Sequence, residues 1–374
     1  MPRVKKKKIL FIYGPLGGGG AERVLLDILH NFDYDRYDVD LALIAAQGVL
    51  LPEVPKQVNI IPLWDGYTLA YKISYRLSTW FRINTLFSRQ INKKLTARYD
   101  TEISFLEGMP LKLHALRKTD AKKITWVHCD LDRFRYEAAS FYKGEESTAY
   151  KSMDKIICVS EDTERAFLRR FPECSGQTDV IYNPIDYDKI VKMAEAVKID
   201  NDKFTIITVG RLTVQKRIDR IIRLAARLKS EGSNIAFQIL GDGELKENLL
   251  QQRKNAGVED TVEFLGFNSN PFPYVKAADM MLCCSGYEGF CLVICEAMCL
   301  GVPVISTKTS GPIEILDDNK YGLLTEHDDD AIYEAVKSMM ENNAMREKYG
   351  TAGKSRVKDF DIRSVMSQIY ELID

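Results

Sequence analysis

Short apolar runs, broken off by glycine or polar residues, alternate along this chain with longer stretches in which apolar positions recur every three or four residues. The runs read as strands and the periodic stretches as helices, and their alternation predicts parallel sheets with crossover helices. In the first half the strand candidates are 8–13, 37–45, 58–61, 101–106, 123–127 and 155–160, with 179–182 closing the sheet. The pattern then restarts at 204–209 and continues through 235–240, 261–265, 280–283, 302–306 and 322–325. Between the sets, NPIDYDKIVKMAEAVKIDND (183–202) carries a proline and many charges and reads as a linker with a short helix. The expected organisation is α/β, with one Rossmann-like domain over 1–185, a second over 186–358, and a terminal helix over 359–374 that crosses back to the first. A ligand of such a fold is expected at the carboxyl ends of the strands, in a cleft between the two layers.

Composition narrows the class. A chain of 374 residues with 45% apolar and 28% charged residues has the ordinary globular mix and enough length for two cores. Net charge is −1, with a small basic excess in the first half and a small acidic one in the second, so neither half reads as a nucleic-acid binder. No apolar run reaches the length of a transmembrane helix. The start, MPRVKKKKILFIYG, is basic and then apolar like a signal peptide, but its apolar part runs straight into glycines and reads better as a first strand. Eight cysteines include no C-x-x-C pair; Cys291, Cys295 and Cys299 fall on one helical face, and all are read as small buried hydrophobes rather than metal or redox groups. Reduced cysteines without a targeting segment imply the cytoplasm.

Chemistry concentrates where strands end. GPLGGGG (14–20) follows the first strand and precedes a helical pattern, where glycines let backbone N–H groups approach a pyrophosphate. It is neither G-x-x-x-x-G-K-[ST] nor G-x-G-x-x-G, and no acidic residue ends the second strand to hold a ribose, which argues against P-loop and nicotinamide sites. In the second half Gly210 and Arg211 end a strand and Lys216 opens the next helix, so one loop brings a guanidinium and an ammonium to a place suited to a diphosphate leaving group. A solvated basic loop is the plainer alternative. GDGE (241–244) and LGF (265–267) end the next two strands.

The most informative stretch is SGYEGFCLVICEAMCLGVPVIS (285–306), which holds Glu288 and Glu296 with seven residues between them. Glycines flank Glu288, placing it in a loop before a helix; Glu296 falls about one and a half turns inside that helix, which ends near Gly301. Carboxylates accept hydrogen bonds from sugar and ribose hydroxyls, while helix ends offer N–H groups to an anion. Together they suit a nucleotide-sugar.

In order, GGGAER (18–23), WVHC (126–129), GRLTVQK (210–216), GDGE (241–244), EGF (288–290) with EAM (296–298), GVPV (301–304), GPIEI (311–315) and YGL (321–323) resemble the retaining glycosyltransferases of family 4. The likeness spans the chain and is weakest over about 50–120, where acceptor sites lie. It implies the GT-B architecture, two Rossmann-like domains facing each other across a cleft. By the resemblance, Glu296 would bind ribose hydroxyls and Glu288 would face the donor sugar, whose hydroxyls meet the backbone of Gly289 and Phe290. Arg211 and Lys216, beside Gly210, would hold the diphosphate and stabilise its charge as the glycosidic bond breaks. Gly19 and Gly20 would close over it from the first domain, and the backbone near Phe267 would hold the base. His128 follows a first-half strand, either touching the transferred sugar or serving as a structural histidine. The implied enzyme needs no metal and no cofactor beyond the nucleoside-diphosphate sugar itself, UDP-linked in preference to GDP-linked. Asp130 and Asp132 make the nearest D-x-D but read as acceptor-side or structural. Retention of configuration by front-side attack makes Glu288 a positioning group rather than a glycosidase-like nucleophile.

From Gly66 to Tyr99 there is no acidic residue, yet Lys72, Arg76, Arg82, Arg89, Lys93, Lys94 and Arg98 are interleaved with Tyr67, Tyr71, Tyr75, Trp80, Phe81 and Phe87. Two readings stay open: a helix for the surface of an anionic membrane, or aromatics packed into the core beneath a solvated basic face. Enzymes similar to this chain extend lipid-linked sugars, so a polyprenyl-diphosphate-linked glycan at the inner face of the cell membrane is the expected acceptor, in surface polysaccharide synthesis. The other functions considered are a nucleotide-sugar epimerase or an α-glucan phosphorylase on the same fold, and a non-catalytic glycosyltransferase-like partner. Retained charges at 211, 216, 288 and 296 argue against the last.

Overall fold

A computed structural model describes residues 5–132 and 139–374. The chain divides into two units, one formed by Met1–Pro184 with Ile362–Asp374 and the other by Ile185–Asp361.

The first unit is built on seven parallel strands: β1 (Lys7–Tyr13), β2 (Tyr37–Ala45), β3 (Asn59–Trp64), β4 (Thr101–Ser104), β5 (Lys122–Val127), β6 (Lys155–Cys158) and β7 (Thr178–Val180). Their order is β3-β2-β1-β4-β5-β6-β7. β1 pairs on one side with β2, Ile9 opposite Val39, and on the other with β4, Ile9 opposite Thr101. Such a central strand is covered on both faces, which is why Ile9, Leu10, Phe11 and Ile12 form an unbroken apolar run at 0–1% exposure. The helix Ile362–Ile373 belongs to this unit. Tyr370 stacks on Tyr37 at 5.4 Å, and Asp374 receives Arg36 at 2.6 Å and Lys7 at 3.2 Å.

The second unit repeats the plan with six parallel strands: β8 (Phe204–Val209), β9 (Ile235–Leu240), β10 (Val262–Gly266), β11 (Met280–Cys283), β12 (Val304–Thr307) and β13 (Leu323–Thr325), in the order β10-β9-β8-β11-β12-β13. The helix Ile218–Ser230 lays Ile221, Ile222, Ala225 and Leu228 on this sheet, an i, i+3, i+4, i+7 stripe, against Phe237, Ile239 and Leu282. In both sheets the strand order reverses beside the first strand, between β1 and β4 and between β8 and β11. At such a point adjacent loops leave in opposite directions and open a crevice at the carboxyl edge. The expected strands are all present within a few residues of their predicted bounds.

Candidate donor site

The loop after β8 is shaped by close backbone packing. Gly210 has φ +156°, and a Cβ there would stand 3.1 Å from Cε of Lys216. Gly241, at φ +150° after β9, lies so close to the Gly210 carbonyl that a Cβ would fall 1.9 Å from its oxygen. Backbone bonds then stack successive loops: the Gly210 N–H donates to Leu240 O at 2.9 Å, Leu212 to Asp242 O at 2.9 Å, and Gly241 to Gly266 O at 2.8 Å. The glycines of these motifs are thus required by loop-on-loop contact.

Across the switch point, the turn Val214–Lys216 is tied to the loop after β11. Gly286 N–H donates to Gln215 O at 2.8 Å, the Gln215 amide donates to Tyr287 O at 2.9 Å, and Lys216 Nζ donates to Glu288 Oε1 at 2.6 Å. The Lys216 and Glu288 side chains are only 16% and 9% exposed. Burial disfavours the ammonium, but the Glu288 carboxylate outweighs it and holds the Lys216 pKa above the ordinary lysine value. Thr307 Oγ1 braces the loop from β12 by donating to Ser285 O at 2.6 Å, and Gly311 packs where a Cβ would lie 2.2 Å from Phe290 O. Arg211, by contrast, is exposed and has no ion-pair partner among the described residues.

The helix carrying Glu296 spans Leu292–Cys299, so Glu288 stands upstream of its first turn and Glu296 is half-buried on the helix. Cys291 precedes it with φ +76°, a left-handed conformation. The expected shared face of Cys291, Cys295 and Cys299 is therefore corrected: only the latter two lie in the helix, and Cys291 turns to Cys283 at the end of β11, Sγ to Sγ 3.6 Å. The hydrogen bond with Cys291 and the nearby Lys216 lower the Cys283 value, and the bond with Cys283 together with burial raises that of Cys291. Gly289 is half-buried, while Phe290 packs edge-on to Phe360 at 5.2 Å, leaving only its backbone for a ligand. Phe267 is 58% exposed beyond β10.

In the first unit the glycine loop follows β1, and the helix Gly20–His30 starts with Gly19 as its cap. The loop is stapled at Leu16, which exchanges backbone bonds with Gln47 (2.9 Å) and Leu50 (3.1 Å). His128 follows β5. Its backbone N–H donates to Glu107 Oε2 at 2.9 Å, its ring lies 4.9 Å from Phe105, and its Nε2 is buried without a partner among the described residues. Burial pushes His128 down to about 3, so the ring is neutral near pH 7. Asp132 is held by Arg169 at 2.6 Å, and Asp130 accepts the Asp132 N–H at 3.0 Å.

The basic segment forms the helices Leu69–Phe81 and Thr85–Lys94, joined through Arg82 at φ +58°. Some of its aromatic residues pack into the core and others lie exposed. Tyr71 and Phe87 are buried with Trp64. Yet Tyr67, Leu69, Ile73, Trp80, Phe81, Ile83 and Leu86 are exposed, seven of the thirteen large apolar side chains so exposed among the described residues. Leu69, Ile73, Arg76 and Trp80 share one helical stripe, with the Arg76 guanidinium 6.0 Å from the Trp80 ring centre. Lys72, Arg76, Arg82 and Arg89 are all exposed beside it. No described helix is long and apolar enough to cross a membrane.

Sequence reasoning missed Glu107, Gln215 and the buried hydroxyls of Thr213 and Thr309, whose oxygens have no partner among the described residues. None has a distinctive spacing; only the fold brings them to strand ends.

Two parallel Rossmann-like sheets of this order, with glycine-walled loops at the carboxyl edge, define the GT-B class of glycosyltransferases. The Glycosyltransferase Family 4 profile matches residues 18–189, and that of Glycosyl transferases group 1 matches residues 190–356. The chain is 30% identical over 367 residues to the N-acetylgalactosamine-N,N'-diacetylbacillosaminyl-diphospho-undecaprenol 4-alpha-N-acetylgalactosaminyltransferase of Campylobacter jejuni, covering 94% of this chain and 95% of that one. A second Campylobacter jejuni enzyme, which adds α-1,4-N-acetyl-D-galactosamine to a diNAcBac-PP-undecaprenol-linked glycan, is 23% identical over 369 residues, 98% of each chain. The Anabaena protein HepE, crystallised with UDP and glucose, shares the fold with a TM-score of 0.75 at 21% identity over 98% of this chain and 99% of that one. The chain belongs to glycosyltransferase family 4 and is a glycosyltransferase.

Proposed function

We propose that this glycosyltransferase moves a hexose or N-acetylhexosamine from a UDP-sugar to a lipid-linked glycan, with retention of configuration and without a metal ion. The observation that carries the reading is the Lys216–Glu288 pair, 2.6 Å apart at the point where the strand order reverses between β8 and β11. A buried ammonium there can stabilise a departing diphosphate, supplying the positive charge that a metal supplies elsewhere. Arg211, exposed on the same loop, attracts the diphosphate, and Gly210 lets it approach. Glu296 takes the ribose hydroxyls, the backbone near Phe267 the base, and Glu288 with the backbone of Gly289 and Phe290 the sugar. The neutral His128 ring of the first unit can take part in a hydrogen bond and does not serve as an acid.

The acceptor assignment is supported by the undecaprenol-linked substrates of the Campylobacter enzymes and by the exposed apolar stripe among Lys72, Arg76, Arg82 and Arg89. An amphipathic surface of this kind suits the anionic inner face of a cell membrane. Purified protein incubated with a panel of nucleotide-sugars in EDTA is expected to release a nucleoside diphosphate from one of them, and added acceptor is expected to give an α-linked product from an α-linked donor. Activity that appears only with added divalent metal, or an inverted product, refutes the mechanism. Sedimentation with anionic vesicles at low salt is expected for the wild type and not for Trp80→Glu/Phe81→Glu; a wild type that ignores such vesicles refutes the membrane contact.

A further inference from the structure

Beside the donor site lies a group of side chains of which the proposed sugar transfer uses only Glu288. Cys283 ends β11, Cys291 sits in the left-handed turn before the helix Leu292–Cys299, and Glu288 lies in the loop between them. Their ligand atoms fall within 4.8 Å of one another, the one such grouping among the described residues, and all three residues are buried. Two thiolates at about 2.3 Å from a tetrahedral zinc ion stand roughly 3.8 Å apart along the tetrahedron edge. The observed Sγ–Sγ separation is 3.6 Å. A disulfide would need the sulfurs to close to about 2.05 Å, whereas a metal needs almost no movement.

We propose that Cys283, Cys291 and Glu288 form a binding site for a soft divalent cation of the zinc and cadmium class, and that its occupancy switches sugar transfer off. Binding exchanges two S–H protons for the metal: both thiols become thiolates, one Glu288 oxygen completes a three-ligand set, and two protons leave to solvent. Two thiolates, one carboxylate, the dication and the neighbouring Lys216 ammonium sum to zero charge, which a buried site requires. Three protein ligands leave a fourth position open to water. The left-handed backbone of Cys291, unfavourable for a non-glycine residue, accompanies the turn of its sulfur to Cys283. Metal on Glu288 withdraws that carboxylate from the donor sugar; this inhibitory part rests on the donor-site reading above.

The test separates the two. Metal-free protein is titrated with Co²⁺ and then Zn²⁺, following thiolate-to-cobalt charge-transfer absorption and proton release. One equivalent bound with that absorption and with proton release is expected for wild type and for Cys295→Ser, and loss of the absorption for Cys283→Ser and for Cys291→Ser. A wild type without thiolate absorption, or serine variants that retain it, overturns the site. Zn²⁺ is then expected to inhibit nucleoside-diphosphate release by wild type and to leave the activity of Cys291→Ser unaffected. Metal bound by the cysteines with no loss of activity overturns the inhibition. The cobalt spectrum decides the site even if the protein transfers no sugar from the donors tried.

Discussion

Lys216→Met removes the charge of the buried pair while keeping most of the stem that packs at Gly210. Glu288, 8% exposed, is then left without its cation. At 2.6 Å and an effective dielectric constant of about 20, the gross attraction is roughly 6 kcal/mol. Desolvation opposes most of it, and breaking a buried pair by removing one partner costs roughly 3–5 kcal/mol. With the Lys216 side chain 16% exposed, the low end applies, and the variant should lose about 2–4 kcal/mol. Glu288→Gln removes the other charge, and the double variant should be more stable than the sum of the single effects by roughly 1–3 kcal/mol. All three tryptophans, Trp64, Trp80 and Trp126, lie in the first unit. Urea unfolding should therefore be followed by ellipticity, to which both units contribute, and by tryptophan fluorescence, which reports the first unit alone. The part of the ellipticity transition that fluorescence does not follow is expected to move while the fluorescence transition holds still. Additive effects of the two substitutions would mean that the pair stores no coupling and that Lys216 is not held by Glu288. In the same variant kcat should fall by about 100–1,000-fold, the loss typical of a deleted donor to developing negative charge.

Glu296→Ala should weaken nucleotide binding by roughly 10–100-fold, the value of hydrogen bonds to a charged group, as read by calorimetry. Arg211→Ala should raise KM for the donor more than it lowers kcat, the reverse of Lys216→Met. Gly311→Ala places a Cβ 2.2 Å from the Phe290 carbonyl and should displace the Glu288–Phe290 loop, costing about 1–3 kcal/mol of stability and the donor affinity together. His114 is fully buried, and burial with the Lys123 and Arg117 cations pushes it down to about 3. Its folded value lies below its unfolded one, so its contribution is complete above about pH 6.5 and is lost as pH falls toward 3. Relative to His114→Gln, the wild type should lose about 2 kcal/mol between pH 7 and pH 5; parallel stability profiles would refute this.

The strands were legible because each is an apolar run closed by glycine or a polar residue, and a central parallel strand such as β1 has no polar face to blur the pattern. The glycine-bearing loops at the strand ends were legible because backbone contact demands glycine at Gly241 and Gly311, leaving a spaced imprint in the sequence. The cysteine geometry was not. Helical periodicity places Cys291 with Cys295, but the positive φ of Cys291 breaks the helix and carries its sulfur to Cys283, eight residues back. The basic segment was half legible: alternation of aromatic and basic residues marks an amphipathic helix but cannot tell buried Tyr71 and Phe87 from exposed Trp80 and Phe81. That depends on Trp64 and Leu63, which arrive from β3. Glu107 escaped notice for a related reason, since it meets His128 across two strands and twenty-one positions.

Two cations on one loop have unequal work. The Lys216 charge is already compensated by Glu288 before any ligand arrives, so it offers an incoming diphosphate little net attraction. Arg211 is exposed and free of an ion pair among the described residues, and under the proposed function it would supply the long-range pull. Once the glycosidic bond stretches, negative charge grows on the diphosphate, and an ammonium already desolvated and fixed at 2.6 Å from its carboxylate can be redirected with little reorganisation. Compensation in the ground state and release in the transition state is what raises kcat rather than affinity. Under the proposed function the glutamate would thus act twice, orienting the donor and holding the lysine in reserve. A metal captured by Cys283, Cys291 and the same Glu288 would remove both roles at once.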